Sequence, residues 1–304
     1  MLKEKTIAFI GGGNMATAII GGLVASGVPA SALRVSEPVA VLAEKLASKY
    51  AVHIAPSNAE AVAGVDAVLL AVKPQVMHDV VTEIAPALEA HGRPVIISIA
   101  AGISAARIEE WYVAGVQAAH AGEKGAAATA TTAATTVTAP PVVRVMPNTP
   151  CMVRQGAVGM FASAEVAAAG RDLACAIMAS TAPRTYWLTE EALMDAVTAV
   201  SGSGPAYFFL FVEAMTEVGI ALGLPEDVAA GLASQTCRGA GEMLVAPGAD
   251  NAATLRKNVT SPNGTTQAAI ETFEKLDFRA IVAKALTAAR DRGVELDQES
   301  AKKA

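Results

Sequence analysis

A tight turn and the start of a helix coincide in one short segment, Val259-Thr260-Ser261-Pro262-Asn263-Gly264-Thr265-Thr266. Pro262 and Gly264 favour the turn, and the two threonines follow where a helix can begin. The first backbone N–H groups of a helix have no partner within it, so with side-chain hydroxyls beside them they can bind a carboxylate. A turn followed by a helix is common, so the segment is a weak signal by itself. It predicts a site for a small acidic molecule.

A second chemical signal lies near the N-terminus. Residues 6–10 have the composition of a buried strand, and Gly11-Gly12-Gly13-Asn14-Met15-Ala16 follows at once. Gly-x-Gly-x-x-Ala between a strand and a helix is the context of a dinucleotide-binding turn. Gly11 permits the tight turn, Gly13 lets the backbone approach a pyrophosphate, and Ala16 allows close packing of helix on strand. The motif predicts a dinucleotide cofactor whose pyrophosphate lies on the helix N-terminus.

The choice between NADH and NADPH usually depends on the end of the second strand, where this chain has Ser36 and Glu37. Glu37 can bond a ribose 2′-hydroxyl and repel a 2′-phosphate, whereas Ser36 can donate to that phosphate. A solvated Glu37 with neither role is a third interpretation. No arginine follows closely, so the pattern leaves the choice open, with a slight preference for NADH.

Short apolar segments alternate with helical patterns through residues 1–190. This alternation predicts an α/β fold with a doubly wound, mostly parallel sheet and right-handed crossovers. From residue 189 onward only helical patterns remain, ending in a helix over 278–292 and a polar tail. We therefore predict a Rossmann-type domain over residues 1–190 and an all-α domain over 191–304. The predicted strands after the first are 33–35, 67–72, 95–99 and 142–146, with edge strands at 156–161 and 185–188.

Residues 114–139 consist mostly of alanine, glycine and threonine. They contain almost no large apolar side chain whose burial would offset the entropy lost on ordering. We predict a flexible surface insertion here, with His120 solvated.

The composition bounds the class of protein. Hydrophobic residues make up 53% and charged residues 17% of the 304, and the mean hydropathy is +0.41. This composition is unusually apolar for a soluble monomer, so a membrane or a large subunit interface must cover the excess apolar surface. The longest apolar stretch, residues 206–224, carries Glu213 and Glu217 one helical turn apart, which argues against a membrane span, and residues 1–5 show no pattern of a secretory leader. We therefore predict a homo-oligomer, and the net charge of −6 argues against nucleic-acid binding.

Cysteine and histidine usage predicts the compartment and the absence of a metal site. The three cysteines are odd in number and unpaired in spacing, which is typical of reduced thiols in a cytoplasmic protein. The four histidines lack the spacing of metal ligands. The cysteines are Cys151, Cys175 and Cys237.

The predicted chemistry follows from a missing acid. Hydride transfer to a ketone calls for a proton donor such as lysine or histidine, and residues 205–213 of the first long helix after the sheet contain neither. A cyclic imine can arrive protonated at nitrogen, so that a hydrogen-bonding hydroxyl such as that of Thr266 suffices. The sequence thus favours C=N over C=O reduction. A hydroxyacid-type carbonyl dehydrogenase and a non-catalytic dinucleotide-binding protein are the alternatives.

Six blocks, in order and over nearly the whole chain, resemble the pyrroline-5-carboxylate reductase family. They are IGGGNMA at 10–16, AVKPQ at 71–75, SIAAG at 98–102, RVMPNTP at 144–150, SGSGPAY at 201–207 and VTSPNGTT at 259–266. The resemblance implies an NADPH- or NADH-dependent oxidoreductase that converts 1-pyrroline-5-carboxylate to L-proline, the last step of proline biosynthesis. It also implies a homodimer formed through the helical domain, commonly assembled into a decamer.

The resemblance further implies roles for individual residues. For the substrate it points to Glu191, Asn258, Val259, Ser261, Gly264, Thr265 and Thr266, with the Thr266 hydroxyl meeting the ring nitrogen as the catalytic group. For the cofactor it points to Gly11, Gly12, Gly13, Asn14, Met15, Ala16, Ser36, Asn58, Val72, Lys73, Pro74, Ala100, Ala101, Gly102, Met146, Pro147 and Asn148.

The chain departs from the family pattern in two places. Asn263 stands where a glycine is usual, and asparagine tolerates a left-handed turn better than most residues, so we expect the turn to survive. The alanine- and threonine-rich stretch after Ala114 is longer than usual, which bears on surface contacts or assembly.

Overall fold

The computed structural model describes residues 2–126 and 137–302, which form two compact units. The first unit comprises the chain up to Gly202 together with the chain from Arg290 onward. The second unit is Ser203–Ala289. Each unit is described here by itself.

The first unit is built on a sheet that has eight strands in the described part of the chain. The strand order is β3-β2-β1-β4-β5-β6-β7-β8, and every neighbouring pair is parallel except β6 and β7. The order reverses at β1, which lies between β2 and β4, so the ends of these strands frame the crevice where doubly wound sheets bind ligands. The strands are β1 Ile7–Ile10, β2 Leu33–Ser36, β3 His53–Ile54, β4 Ala67–Leu70, β5 Val95–Ser98, β6 Val142–Met146, β7 Ala157–Ala162 and β8 Arg184–Trp187.

Helices cover both faces of this sheet, and each face has its own cluster of buried apolar side chains. The central strands are almost wholly buried, as strands covered on both faces must be. The predicted α/β Rossmann-type class is confirmed. The helices of this unit are α1 Asn14–Ala25, α2 Ala40–Tyr50, α3 Asn58–Val62, α4 Met77–Ala90, α5 Ala105–Ala126, α6 Ala168–Ala179 and α7 Leu193–Val197.

The second unit is helical, as the sequence predicts, and a π-helical turn at Thr198–Gly202 precedes it. Its helices are α8 Gly204–Ala221, α9 Glu226–Val245, α10 Ala252–Asn258, α11 Thr265–Lys275 and α12 Phe278–Lys302, the last of which continues into the first unit. Among the residues that the structure describes, no helix is both long enough and apolar enough to cross a bilayer.

The prediction of a flexible insertion is wrong for residues 114–126, which belong to α5. Alanine is the strongest helix former, so an alanine-rich segment needs few large side chains to stay helical once its neighbours pack. Val116 is buried, and a Cβ on Gly115 would lie 2.5 Å from the Thr82 carbonyl oxygen of α4. His120 is exposed on this helix. Residues 127–136 of the predicted insertion lie outside the described residues.

The unit division also differs from the boundary predicted at residue 190. Residues up to Gly202 group with the sheet, and within this unit Glu191 and Asp195 are ion-paired with Arg144 of β6. The predicted polar tail after residue 292 is helical, since α12 continues to Lys302.

A partly buried ion pair at the N-terminal edge of the sheet makes stability depend on pH. Lys5 Nζ lies 2.6 Å from Asp66 Oδ1, and the Thr6 N–H donates to Asp66 Oδ2 over 2.9 Å. Burial raises the pKa of Asp66, but the bonds from Lys5 and Thr6 outweigh it and hold the pKa below its usual value.

We expect Asp66→Asn to lower the free energy of unfolding by about 1 kcal/mol at pH 7, because the pair is about one-third exposed. A carboxyl group whose pKa is lower in the folded state stabilises the fold at pH values above its unfolded-state pKa. This stabilisation is lost as the pH falls through the folded-state pKa. The difference between the variant and the parent should therefore begin to shrink near about pH 4 in denaturant titrations and close only below the lowered pKa. Asp172→Asn, at an exposed carboxylate in the same unit, is the control. A deficit that stayed constant down to pH 3 would contradict the assignment.

Candidate active site

The turn after β1 requires glycine at its first position. Gly11 has φ of +98°, and its N–H donates to the Ser36 carbonyl oxygen over 2.8 Å. A Cβ at this position would lie 2.8 Å from the carbonyl oxygen of Ala71, just after β4. The turn is thus wedged between the carboxyl ends of β2 and β4, as the sequence motif predicts.

The next residues leave an open anion site at the start of α1. Gly13 is the N-cap of α1 without a capping side chain, and a Cβ there would meet nothing within 4 Å. In the described part of the chain, no acceptor is bonded to the N–H groups of Asn14, Met15 or Ala16. Unpaired N–H groups and the positive end of the helix dipole fit the diphosphate of a dinucleotide.

The contrast between Gly11 and Gly13 yields a paired prediction. Gly13→Ala should fold normally but raise KM for the cofactor about tenfold or more, equivalent to about 1.4 kcal/mol, because the new methyl group enters the anion site. Gly11→Ala should instead cost about 1–3 kcal/mol of stability, since the residue is left-handed and crowded. Thermal midpoints and cofactor KM values of both variants test this. Equal thermal midpoints, or an unchanged KM in Gly13→Ala, would contradict it.

Three side-chain hydrogen bonds connect the end of β2 with its surroundings. The Ser36 hydroxyl donates to Asn58 Oδ1 over 2.7 Å, and Asn58 Nδ2 donates to Glu83 Oε2 over 2.9 Å. The Gly12 N–H donates to Glu37 Oε2 over 2.6 Å. The structure therefore brings Ser36, Glu37 and Asn58 to the glycine turn, where the sequence predicts adenosine-ribose contacts.

The other residues predicted for the cofactor follow the carboxyl ends of β4, β5 and β6 in the same unit. Lys73 is exposed, Gly102 has φ of +68°, and Asn148 is buried and accepts from the Ala157 N–H over 3.1 Å. The carboxyl ends of parallel strands share one edge of a sheet, so these segments border the crevice beside the glycine turn. The residues concerned are Val72, Lys73, Pro74, Ala100, Ala101, Gly102, Met146, Pro147 and Asn148.

Glu191, predicted to reach the cofactor or substrate, already has partners within the first unit. Its Oε1 accepts from the Ala105 N–H over 2.7 Å and lies 3.2 Å from Arg144 Nη1. Asp297 of α12 accepts from the Ser104 N–H over 3.1 Å. Two carboxylates thus cap the N-terminus of α5, directly after Ala100–Gly102, and hold that segment in place.

The sequence prediction missed the charged cluster that includes this cap. Arg144 is only 5% exposed, and its Nη2 lies 3.7 Å from Asp195. Burial raises the pKa of Asp195, with Asp297 and Glu191 adding to the rise and Arg144 opposing it. The one signal in the sequence that could have revealed this buried ion pair is an arginine inside the apolar strand Val142–Met146.

The predicted substrate loop, residues 258–266, belongs to the second unit, where it forms the turn followed by a helix that the sequence predicts. Asn263 is left-handed with φ of +60°, which confirms that asparagine preserves the turn. The Gly264 N–H donates to the Ser261 carbonyl oxygen over 3.1 Å, and α11 begins at Thr265. Thr265 and Thr266 are exposed, and no partner is bonded to either hydroxyl within the residues described.

This loop has the features of a carboxylate site. Gly264 is the N-cap of α11 without a capping side chain, and the Asn263 N–H is taken by Gln267 Oε1 at 2.7 Å. In the described residues the N–H groups of Thr265 and Thr266 have no bonded acceptor. Val259, at the end of α10, is 59% exposed beside them. The structure thus groups residues 258–266 in one loop, whereas Glu191 belongs to the first unit.

The fold and the glycine turn define a dinucleotide-dependent oxidoreductase with a Rossmann-type unit and a helical unit. Residues 6–102 match the family model described as NADP oxidoreductase coenzyme F420-dependent, and residues 191–296 match pyrroline-5-carboxylate reductase dimerisation. The Pseudomonas aeruginosa pyrroline-5-carboxylate reductase is 46% identical over 98% of this chain and 99% of its own length. The chain belongs to the pyrroline-5-carboxylate reductase family.

Other similar proteins support this family assignment. The Vibrio alginolyticus pyrroline-5-carboxylate reductase is 35% identical over 98% of this chain and 99% of its own. A solved pyrroline-5-carboxylate reductase from Coxiella burnetii is 35% identical, with a TM-score of 0.83 over 96% of this chain and 98% of that one. The Plasmodium falciparum pyrroline carboxylate reductase, solved with NADP bound, is 25% identical, with a TM-score of 0.78 over 98% of this chain and 100% of that one.

Proposed function

We propose that this chain reduces the C=N bond of 1-pyrroline-5-carboxylate by hydride transfer from NADH or NADPH and releases L-proline, the last step of proline biosynthesis. The observation that carries the proposal is the 46% identity to a pyrroline-5-carboxylate reductase over 98% of the chain. The open anion site at Gly13 and the substrate-type loop at 258–266 supply the two binding functions that this reaction needs.

The glycine turn holds the cofactor diphosphate, with the N–H groups of Asn14, Met15 and Ala16 as donors. The bound cofactor supplies the hydride. Val72, Lys73 and Pro74 flank it, and Ala100, Ala101 and Gly102 border the nicotinamide half, held by the caps on α5. These placements rest on the strand order and on the resemblance of the blocks.

The loop from Asn258 to Thr266 holds the substrate. The free N–H groups at the start of α11 bind the carboxylate, with Ser261 and Gly264 shaping the turn around it. The Thr266 hydroxyl bonds the ring nitrogen and orients the ring. Val259 offers the ring an apolar side chain.

The reaction needs no strong acid from the protein. The imine carbon accepts the hydride while the C=N electron pair passes to the protonated nitrogen, which becomes a neutral secondary amine. Helix α8, Gly204–Ala221, contains neither lysine nor histidine. A carbonyl dehydrogenase would need such a donor to protonate an alkoxide.

The helical unit supports a homodimer as the functional species. Its helices expose large apolar side chains, of which Leu222 is 81% exposed, and such surfaces mark subunit contacts. The family model matched over 191–296 is one of dimerisation. We propose a dimer through this unit, assembled further into a decamer, in the cytoplasm. Light scattering measures the mass, and a monomer would contradict the proposal.

Cofactor oxidation with defined substrates tests the proposed reaction. Absorbance at the reduced nicotinamide band should fall when 1-pyrroline-5-carboxylate is added with NADH or NADPH, and should not fall with 2-oxo acids. Oxidation with 2-oxo acids alone would identify a hydroxyacid-type dehydrogenase. Oxidation with neither, by a protein that binds the cofactor, would identify a non-catalytic binding protein.

A further inference from the structure

The carboxylate of Glu37 is fixed at the glycine turn rather than free in solvent. Its Oε2 accepts from the Gly12 N–H over 2.6 Å, and its Oε1 accepts from the Val39 N–H over 2.9 Å. Bonds to both oxygens hold the negative charge just beyond β2. In doubly wound sheets this position faces the adenosine ribose of a bound dinucleotide.

A chain of hydrogen bonds also fixes what the Ser36 hydroxyl can offer. The Glu83 carboxylate can only accept, so the amide group of Asn58 must turn its nitrogen towards Glu83 and its oxygen towards Ser36. That oxygen can only accept, so Ser36 must give it the hydroxyl hydrogen, over 2.7 Å. The buried Ser36 hydroxyl therefore presents lone pairs to a ligand and has no hydrogen left to donate to a phosphate.

The segment that follows β2 supplies no free cation. Between Arg34 and Lys45 the sequence has neither lysine nor arginine. The Arg34 guanidinium donates to the Ala63 carbonyl oxygen over 2.6 Å. A 2′-phosphate usually needs an arginine near this strand end, and here it would instead meet a fixed carboxylate and a hydroxyl that only accepts.

We propose that the chain selects NADH over NADPH, with Glu37 as the specificity-determining residue and the Ser36–Asn58–Glu83 chain as its support. The ribose 2′-hydroxyl of NADH donates a hydrogen bond to this acceptor-rich end of β2. The 2′-phosphate of NADPH is mostly a dianion at neutral pH, so it has almost no hydrogen to donate. The Glu37 carboxylate also repels its negative charge. The inference rests on the proposed reductase activity.

Steady-state kinetics with 1-pyrroline-5-carboxylate test the proposal. The wild-type kcat/KM for NADH should exceed that for NADPH by about tenfold or more, because the Glu37 carboxylate and the 2′-phosphate carry like charges that repel each other. Glu37→Gln keeps the size and removes the charge. It should raise kcat/KM for NADPH and bring the ratio towards one, with most of the change in KM. The preference of the wild type should also weaken as salt concentration rises.

A matched variant and a binding assay separate this effect from general damage. Glu44→Gln removes one charge from an exposed position of α2 and should leave the ratio unchanged. Calorimetry should show that 5′-ADP binds the wild type more tightly than 2′,5′-ADP does, and that Glu37→Gln narrows the gap. Equal or better use of NADPH by the wild type would overturn the inference, as would an unchanged ratio in Glu37→Gln. Either result would leave the reductase activity itself standing, since that requires turnover with only one of the two cofactors.

Discussion

Replacement of Thr266 by alanine should lower kcat with 1-pyrroline-5-carboxylate by about 10²-fold or more while the protein stays folded. Thr266 lies at the exposed start of α11, and its hydroxyl has no bonded partner among the described residues. The substitution therefore breaks no hydrogen bond within the described residues and removes only the group proposed to bond the ring nitrogen. Kinetics should show the loss with either cofactor, and the circular dichroism spectrum and thermal midpoint should stay close to those of the wild type.

Two further variants make this test specific. Thr266→Ser keeps the hydroxyl and should retain activity within a few-fold of the wild type. Thr272→Ala removes a hydroxyl from the same helix, where it donates to the Ala268 carbonyl oxygen, and should leave turnover unchanged. If Thr266→Ala turned over as fast as the wild type, Thr266 would have no part in the reaction.

Replacement of Arg144 by leucine should lower the free energy of unfolding by about 3–5 kcal/mol. The guanidinium lies inside the sheet, 3.2 Å from Glu191 and 3.7 Å from Asp195. Its removal leaves two largely buried carboxylates without their cation, and leaving a buried charge uncompensated is what makes such a loss large. Denaturant unfolding of the dimer at fixed protein concentration measures the loss.

The pKa shift at Asp195 predicts how the loss of unfolding free energy in Arg144→Leu depends on pH. Burial already raises the pKa of Asp195 while Arg144 opposes the rise, so removing Arg144 should raise that pKa further. A raised carboxyl pKa destabilises the fold as pH rises through it, because the folded state then holds an unfavourable charge. The deficit of Arg144→Leu should thus be smaller at pH 5 than at pH 8.

Arg107→Leu is the matched control for that experiment. Arg107 lies on α5, and its ion pair with Glu110 spans 2.7 Å, but the glutamate is 61% exposed. Its loss should cost no more than about 1 kcal/mol. If Arg144→Leu cost as little as Arg107→Leu, the buried cluster would not stabilise the fold as inferred.

Much of the fold could be predicted from the sequence because its signals are local. The apolar runs that became β1, β4, β5 and β6 are bounded by glycine and proline, and the turn after β1 carries its own motif. The two-residue strand β3 is too short to show any pattern. Residues 114–126 of α5 were not predicted as a helix because Gly115 approaches α4 without a side chain, and this stretch has few of the large side chains by which a buried helix is usually recognised.

The candidate site was predictable to a different extent in each unit. The glycine turn and the 258–266 loop are contiguous segments, so their geometry follows from local residue types. The cluster of Arg144, Glu191, Asp195 and Asp297 joins residues far apart in the chain, and no local pattern encodes such pairing. The orientation of Ser36 likewise depends on Glu83, which only the folded structure brings near.

The return of α12 to the first unit has a consequence for how the protein is made. A Cβ on Gly102 would lie 2.9 Å from the Leu296 side chain, and Asp297 caps the Ser104 N–H. These partners are translated after the whole of Ser203–Ala289, whereas nascent domains generally fold in order of emergence. The Ser104 N–H must therefore wait for its acceptor until the whole helical half has been translated, whereas Glu191 is available earlier to cap the Ala105 N–H. A stop codon or proteolytic cut before residue 297 would leave the Ser104 N–H without that acceptor permanently.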